Sequence, residues 1–398
     1  MVTTTASTDP RYRANTGEGY DGVVRLSISG HSASGVLLYD GRALLTAAHL
    51  FDGVGGTARV YFDTRSGSSA QDAKQVLIHP DYDSDQGNND LALVWLEQAP
   101  LDADRYNLYR DEDELGQAFS LVGYGAIGTG SSGASSQTGT PQRYRAENRF
   151  ETQGDQLKAQ LGAAMSWNPT PDSQLLADFD DGSAAHDALD LLLNLPDLGL
   201  GLAEGLIAQG DSGGPALLNG QIAGIATYTA SLSRNSVNPD IDQYSNSSFG
   251  ELGAWQRVSH YQQWIDQSLR SQYNDAPDSP AEVIKALAEG DSGTQRVYFL
   301  LQFTGVRSQA EAILSVDYAT RDGSAQADSD YIAASGRLNL YPGENQAVIP
   351  VEIIGDSLAE PDETFYLDVF NPVGGSFGPG VVKLTAMRTL LDDDGWLA

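Results

Sequence analysis

Hydrophobic and polar positions alternate in short runs along most of the chain. Val23-Val24-Arg25-Leu26-Ser27-Ile28 has the period of a half-buried strand, and Gly35 to Leu45 reads as two strands joined at Asp40-Gly41. Val76-Leu77-Ile78 and Leu91-Ala92-Leu93-Val94-Trp95-Leu96 are further strands, and Ala216 to Ala226 has a hairpin pattern. Three stretches lack a pattern. Residues 1–19 are polar and aperiodic and read as a loose lead-in, and Gly128 to Thr140 has the composition of a flexible surface loop. Residues 155–205 have no clear placement. Within them Asp178-Phe179-Asp180-Asp181-Gly182 offers a candidate calcium loop, but it lacks the twelve-residue spacing and terminal Glu of an EF-hand, and the favoured reading is a solvated acidic insertion. Periodicity stops again around Ser271 to Pro280, where polar residues and prolines mark a linker. Alternation then resumes at Val297–Phe303, Leu314–Tyr318, Val348–Ile354, Thr364–Val369 and Val381–Leu384, the spacing of a β-sandwich. The expected organisation is all-β: a lead-in at 1–19, a first domain at 20–272, a linker at 273–281 and a second domain at 282–398.

Two domains suit a length of 398 residues, and 40% hydrophobic content suffices for ordinary cores. No run of roughly 18 apolar residues suggests a membrane span. The first residues lack the charged-then-apolar plan of a signal peptide, so a trimmed start is expected. With 23 basic against 54 acidic residues the net charge is −31, which argues against nucleic acid or an anionic membrane as partner. There is no cysteine, so stability has to come from packing and from bound metal, and the redox compartment cannot be read.

The candidate chemistry lies in three segments. Ser212 sits in Gly210-Asp211-Ser212-Gly213-Gly214-Pro215, downstream of Thr46-Ala47-Ala48-His49 and Asn89-Asp90-Leu91-Ala92-Leu93. A serine hydroxyl becomes a useful nucleophile when an imidazole takes its proton and a buried carboxylate fixes that imidazole's tautomer. Asp81, Asp83 and Asp85 compete for the carboxylate role, but only Asp90 directly abuts a buried apolar strand. Gly-x-Ser-x-Gly also occurs in the nucleophile elbow of α/β-hydrolases. That motif needs a helix after the serine and its histidine last in the chain, whereas a hairpin pattern follows here and His49 lies upstream.

The three segments, in this order, resemble the signatures of trypsin-like (chymotrypsin-fold) serine proteases. Gly123-Tyr124-Gly125 and Gly253 to Ile265 resemble that family's central turn and its closing strand and helix. The resemblance implies a double β-barrel, with His49 as general base, Asp90 as its orienting partner and Ser212 as nucleophile. It makes the amides of Gly210 and Ser212 the oxyanion donors. In the family the Asp before the serine pairs with a new N-terminal amine, which casts Asp211 in that part, although no Ile-Val-Gly-Gly start is present. Leu206 becomes the base of the primary pocket and Thr227, Tyr228, Thr229 and Gly253 its walls. No acid stands there to receive Arg or Lys, so the expected pocket is shallow and takes small or medium apolar side chains; Glu204 could intrude.

Glu289 to Thr294, Tyr318 to Ala325, Ser329-Asp330-Tyr331, Glu360 to Phe365 and Asp392-Asp393-Asp394 resemble the Calx-beta domain, an immunoglobulin-like calcium-binding β-sandwich. The resemblance assigns Ca2+ to Glu289, Asp330, Asp356, Glu360, Asp392, Asp393 and Asp394. The expectation is a secreted, extracellular or periplasmic endopeptidase acting on proteins or peptides, whose second domain stabilises it or docks it to a surface. The rival is a silent pseudo-protease or zymogen that serves as a calcium-dependent binding protein.

Overall fold

The computed structural model describes residues 1–137 and 139–394. The chain divides into two compact units, Met1–Gln262 and Gln263–Ala398.

Two seven-stranded antiparallel sheets build the first unit, matching the double-barrel plan. The first sheet runs in spatial order Gly67–Asp72, Arg59–Thr64, Val23–Ile28, His31–Leu37, Ala43–Thr46, Ala92–Trp95 and Gln75–Ile78. Its inner strands Ala43–Thr46 and Ala92–Trp95 are buried throughout, which is why they read as unbroken apolar runs. The Asp40-Gly41 turn forms as expected, with Gly41 at φ 73° and Asp40 Oδ1 accepting the Ala43 amide at 3.0 Å. The second sheet runs Tyr144–Arg149, Ala118–Gly123, Pro215–Leu218, Gln221–Ala230, Leu252–Arg257, Gln174–Asp178 and Thr152–Gln153. Its core contains Phe119 stacked on Phe150 at 3.9 Å, with Trp255 edge-on to both.

The aperiodic stretches are more ordered than their composition suggests. Residues 1–19 are not a loose lead-in: Met1 and Val2 are buried, and Val2–Thr3 pairs with Ile127–Thr129 on one side and Gly205–Leu206 on the other. The glycine- and serine-rich stretch contains a small hairpin, Ile127–Thr129 with Gly133–Ser135; its Thr138 lies outside the described residues. Residues 155–205 are no solvated insertion. They include most of helix Gly154–Leu161, the strand Gln174–Asp178 and helix Ala188–Leu193, which bring Leu157, Leu161, Met165, Leu176, Leu189 and Leu192 into one core cluster. Partners distant in sequence supply order that local periodicity does not show: more than a hundred positions away for Val2–Thr3, and 74 to 82 positions away where Gln174–Asp178 pairs with Leu252–Gln256.

The second unit is a sandwich. One sheet runs Ala286–Ala288, Lys383–Leu391, Glu363–Val373, Leu314–Asp322 and Ser335–Leu340, and the other pairs Thr294–Gln302 with Gln346–Ile354. Phe365 sits at its centre, stacked on Tyr331 at 4.4 Å and edge-on to Phe299. The division between the units falls inside helix Val258–Arg270, ahead of the linker marked by composition. Within the second unit Arg270 Nη1 is 2.9 Å from Glu344 Oε2, and Tyr341 donates its hydroxyl to Asp266 at 2.6 Å. No helix among the described residues is long and apolar enough to cross a membrane.

Candidate active site

His49 lies on the 3-10 turn Ala48–Phe51, directly after strand Ala43–Thr46, and Asp90 stands just ahead of Ala92–Trp95. Thr46 pairs with Ala92, so the two strands bring both side chains to the same end of the sheet. Asn89 in the left-handed region, at φ 53°, turns the chain so that the Asp90 carboxylate faces inward. Asp90 is buried, whereas Asp81, Asp83 and Asp85 are exposed. Its Oδ2 is 2.7 Å from His49 Nδ1, its Oδ1 accepts the His49 amide at 2.8 Å, and Thr227 donates its hydroxyl to Oδ2. A carboxylate held by these donors orients the imidazole so that Nε2 is the nitrogen left for chemistry. Burial works against the imidazolium of His49. The hydrogen bond and charge of Asp90, with the charge of Asp52, outweigh it and raise the His49 pKa above its ordinary value.

The Ser212 turn packs against the same strand end. The amide of Gly213 donates to Ala226 O at 2.8 Å, that of Gly214 to Asp211 O at 2.8 Å, and Ser212 O accepts from Ser34 N at 3.0 Å. A Cβ on Gly213 would fall 2.0 Å from Thr46 Oγ1 and 3.0 Å from Ala47 N, so only glycine lets the turn come this close. Among the described residues the amides of Gly210 and Ser212 carry no hydrogen-bond partner, and neither does the Ser212 hydroxyl. Two uncommitted amides flanking a half-buried hydroxyl are the donor set an oxyanion requires.

Asp211 points away from this turn into the protein. Its carboxylate accepts the amides of Gly125 at 2.8 Å and Ala208 at 3.0 Å, and its Oδ2 lies 2.6 Å from the amino group of Met1, both groups buried. Cβ atoms on Gly123 and Gly125 would come within 2.3 and 2.5 Å of that carboxylate. The glycine-aromatic-glycine segment is therefore the wall of an ion-pair chamber.

A cleft of 460 Å³ opens beside the His49–Asp90 pair, lined among others by Tyr82, Asp85, Gly87, Trp167, Tyr228 and Thr229. Trp167 donates its indole N–H to Tyr228 OH at 2.9 Å, and that hydroxyl donates to Gln174 Oε1 at 2.7 Å, which holds both rings. Thr227 lines the cleft as well, but its hydroxyl serves Asp90. Thr229 and Gly253 face each other across neighbouring strands. Leu206 is fully buried, and a Cβ on Gly253 would lie 2.9 Å from Leu206 Cδ1 and 2.7 Å from the Trp255 ring. Leu206, Gly253 and Trp255 thus form one packed apolar patch. Glu204 does not intrude there; its carboxylate accepts the amides of Asp180 and Leu200 at 2.8 and 2.5 Å. Trp167 is a cleft residue that the sequence did not single out, because it lies in the aperiodic stretch.

In the second unit Glu289, Asp392 and Asp394 place one carboxylate oxygen each within 4.8 Å of one another, and so do Asp330, Glu360 and Glu363. Glu289 Oε1 and Asp394 Oδ2 are buried without a hydrogen-bond partner. Burial and then the charges of Asp356, Glu360, Asp392 and Asp330 push the Glu289 pKa up to about 7. Asp356 Oδ1 accepts the Leu358 amide and Asp393 Oδ1 the Gly290 amide; neither residue joins either cluster. Glu363, three residues past Glu360 in the same segment but not among the residues assigned to Ca2+, does. These donors are all oxygen and include buried orphans, so they fit a hard divalent cation.

The Trypsin family model matches residues 11–161, and the Calx-beta domain model matches residues 298–394. An uncharacterized peptidase of Corynebacterium glutamicum is 25% identical over 272 residues, 67% of this chain and 75% of the relative. Sodium/calcium exchanger 2 of Homo sapiens is 33% identical over 153 residues, and sodium/calcium exchanger Calx of Drosophila melanogaster is 36% identical over 88. The matches cover 32% and 22% of this chain but only 17% and 9% of the exchangers. A solved structure of mouse neuropsin, described as a serine protease, is aligned over 65% of this chain and 98% of its own, with 17% identity and a TM-score of 0.47.

Proposed function

We propose that this chain, which joins a trypsin-like serine protease domain to a Calx-beta domain, is an active endopeptidase with His49, Asp90 and Ser212 as its catalytic triad. The carrying observation is the His49 Nδ1 to Asp90 Oδ2 contact of 2.7 Å, supported by two further donors to the same carboxylate. In this reading His49 Nε2 takes the proton of Ser212 Oγ as that oxygen adds to the substrate carbonyl. The oxyanion is received by the amides of Gly210 and Ser212. His49 then returns the proton to the departing amine, and water, deprotonated by the same imidazole, cleaves the acyl-enzyme.

The reading keeps cleavage after small or medium apolar side chains, supported by the apolar packing of Leu206 and Trp255 behind Gly253 and by Thr229 on the neighbouring strand. The Calx-beta domain would hold Ca2+ through Glu289, Asp392 and Asp394 and through Asp330, Glu360 and Glu363. Calcium there neutralises crowded carboxylates and supplies nothing to bond cleavage. Action outside the cell or in a periplasm, with the second domain docking the enzyme to a surface, completes the reading.

The test is labelling of the full chain by a fluorophosphonate probe beside Ser212→Ala, followed by cleavage of a peptide library. Labelling and cleavage that both vanish in Ser212→Ala support the endopeptidase. A wild-type chain that takes up no probe and cuts nothing would instead be a silent relative.

A further inference from the structure

The segment between Asp178 and Glu204 contains a feature that peptide hydrolysis does not use. Asp178, Asp180 and Asp187 are all buried, at 0%, 2% and 1% exposure. One carboxylate oxygen from each lies within 4.8 Å of the other two. Neither oxygen of Asp180 has a hydrogen-bond partner, nor does Oδ1 of Asp178. The remaining oxygens are tied down: Asp178 Oδ2 accepts the Leu189 amide at 2.7 Å, and Asp187 accepts those of Asp190 and Asp197 at 2.8 and 3.1 Å. Glu151 adds a fourth carboxylate, with Oε1 on the Asp178 amide at 3.4 Å and Oε2 buried and unpartnered. The basic groups nearby in sequence, Arg149 and His186, are engaged with Asp197 and Asp181.

Carboxylates held this close in an apolar setting repel each other, and each lacks the solvation it would have in water. We infer that Asp178, Asp180 and Asp187 form a divalent-cation site in the first unit, with calcium as its ion. Oxygens bonded at about 2.3–2.6 Å to one calcium ion can span the observed separation, while magnesium keeps several waters and zinc selects histidine or thiolate. The ion would tie the end of strand Gln174–Asp178 to the turn before helix Ala188–Leu193. Glu204, which holds the Asp180 and Leu200 amides, is followed at once by Gly205–Leu206, the strand that pairs with Val2–Thr3. The site therefore anchors the segment that leads into the Ser212 turn.

The test uses the full chain in a background that removes the second unit's acids, Asp330→Asn, Asp392→Asn and Asp394→Asn, so that its ions do not mask the count. Calcium retained after desalting is counted by native mass spectrometry, with and without added Asp180→Asn. The expected result is one ion per chain in the background and none once Asp180→Asn is added. Melting temperature adds an independent readout. Calcium raises it in the background but not with Asp180→Asn, and in chelator Asp180→Asn melts higher than its parent because a like charge has gone. Asp187→Asn, expected to lose the ion likewise, replaces Asp180→Asn should the latter fail to fold. A background that retains no calcium, an ion that survives these substitutions, or equal retention of magnesium overturns the assignment.

Discussion

Asp90 concentrates the chemistry of the first unit in one side chain. It accepts from the His49 ring, the His49 backbone and the Thr227 hydroxyl, and it is buried, so its charge is screened little by water. Asp90→Asn would present the ring with a donor as well as an acceptor and release the wrong tautomer, and kcat should fall by roughly 10⁴-fold. The pH profile gives a second readout. Only neutral His49 can accept the serine proton, and its pKa is raised, so kcat/KM should climb with pH through a midpoint above 6.5. A midpoint at or below 6.5 in the full chain would contradict the Asp90 contribution. Asp211 is the other decisive residue. Asp211→Asn removes the partner of the buried Met1 amine and weakens the bonds that tie the residue before Ser212 to the amides of Gly125 and Ala208. The expected loss is about 10²–10³ in kcat with His49 and Ser212 intact, the scale of a lost oxyanion donor.

Among the elements, the strands that deliver His49 and Asp90 were legible because both are buried on two faces and so read as apolar runs ending beside polar residues. The strand Val2–Thr3 was not legible, since two residues make no periodicity and its partners lie more than a hundred positions away. The acids of 178–187 misled for another reason: a carboxylate looks the same in sequence whether water or protein surrounds it. Glycines 123 and 125 were legible as a motif while their cause, the carboxylate of Asp211, was not. A similar long-range tie replaces disulfides in this cysteine-free unit. Arg257, on the last strand of the second sheet, reaches Glu114 with Nη2 to Oε2 at 2.5 Å, and Ser259 donates to the same carboxylate at 2.6 Å. Both charges are buried. Glu114→Ala would strand the guanidinium without a counter-ion and should cost about 3–5 kcal/mol, read from urea or thermal unfolding. A cost under about 1 kcal/mol would mean that water reaches Arg257.

For the whole molecule the governing quantity is a net charge of −31, spread over both units. Such a chain repels itself when compact, and every bound divalent cation removes two of those charges where they are most crowded. In the second unit the crowding is local, because Glu289 feels Asp356, Glu360, Asp392 and Asp330 together. Calcium that binds the folded sandwich and not the unfolded chain stabilises it by about 2.7 kcal/mol at a free concentration 100 times its dissociation constant. Because the chain has two units, calorimetry has to be read as separable transitions, not as one melting temperature. With Asp392→Asn and Asp394→Asn in place, the sandwich transition should lose most of its response to calcium. The transition of the first unit should keep its own, since its acids are a different set. If both transitions ignored calcium in the unmodified chain, the carboxylate clusters would be folded by protons alone, and raising the pH from 6 to 9 would then destabilise the sandwich, because a raised folded pKa such as that of Glu289 favours the native state only while its proton stays on.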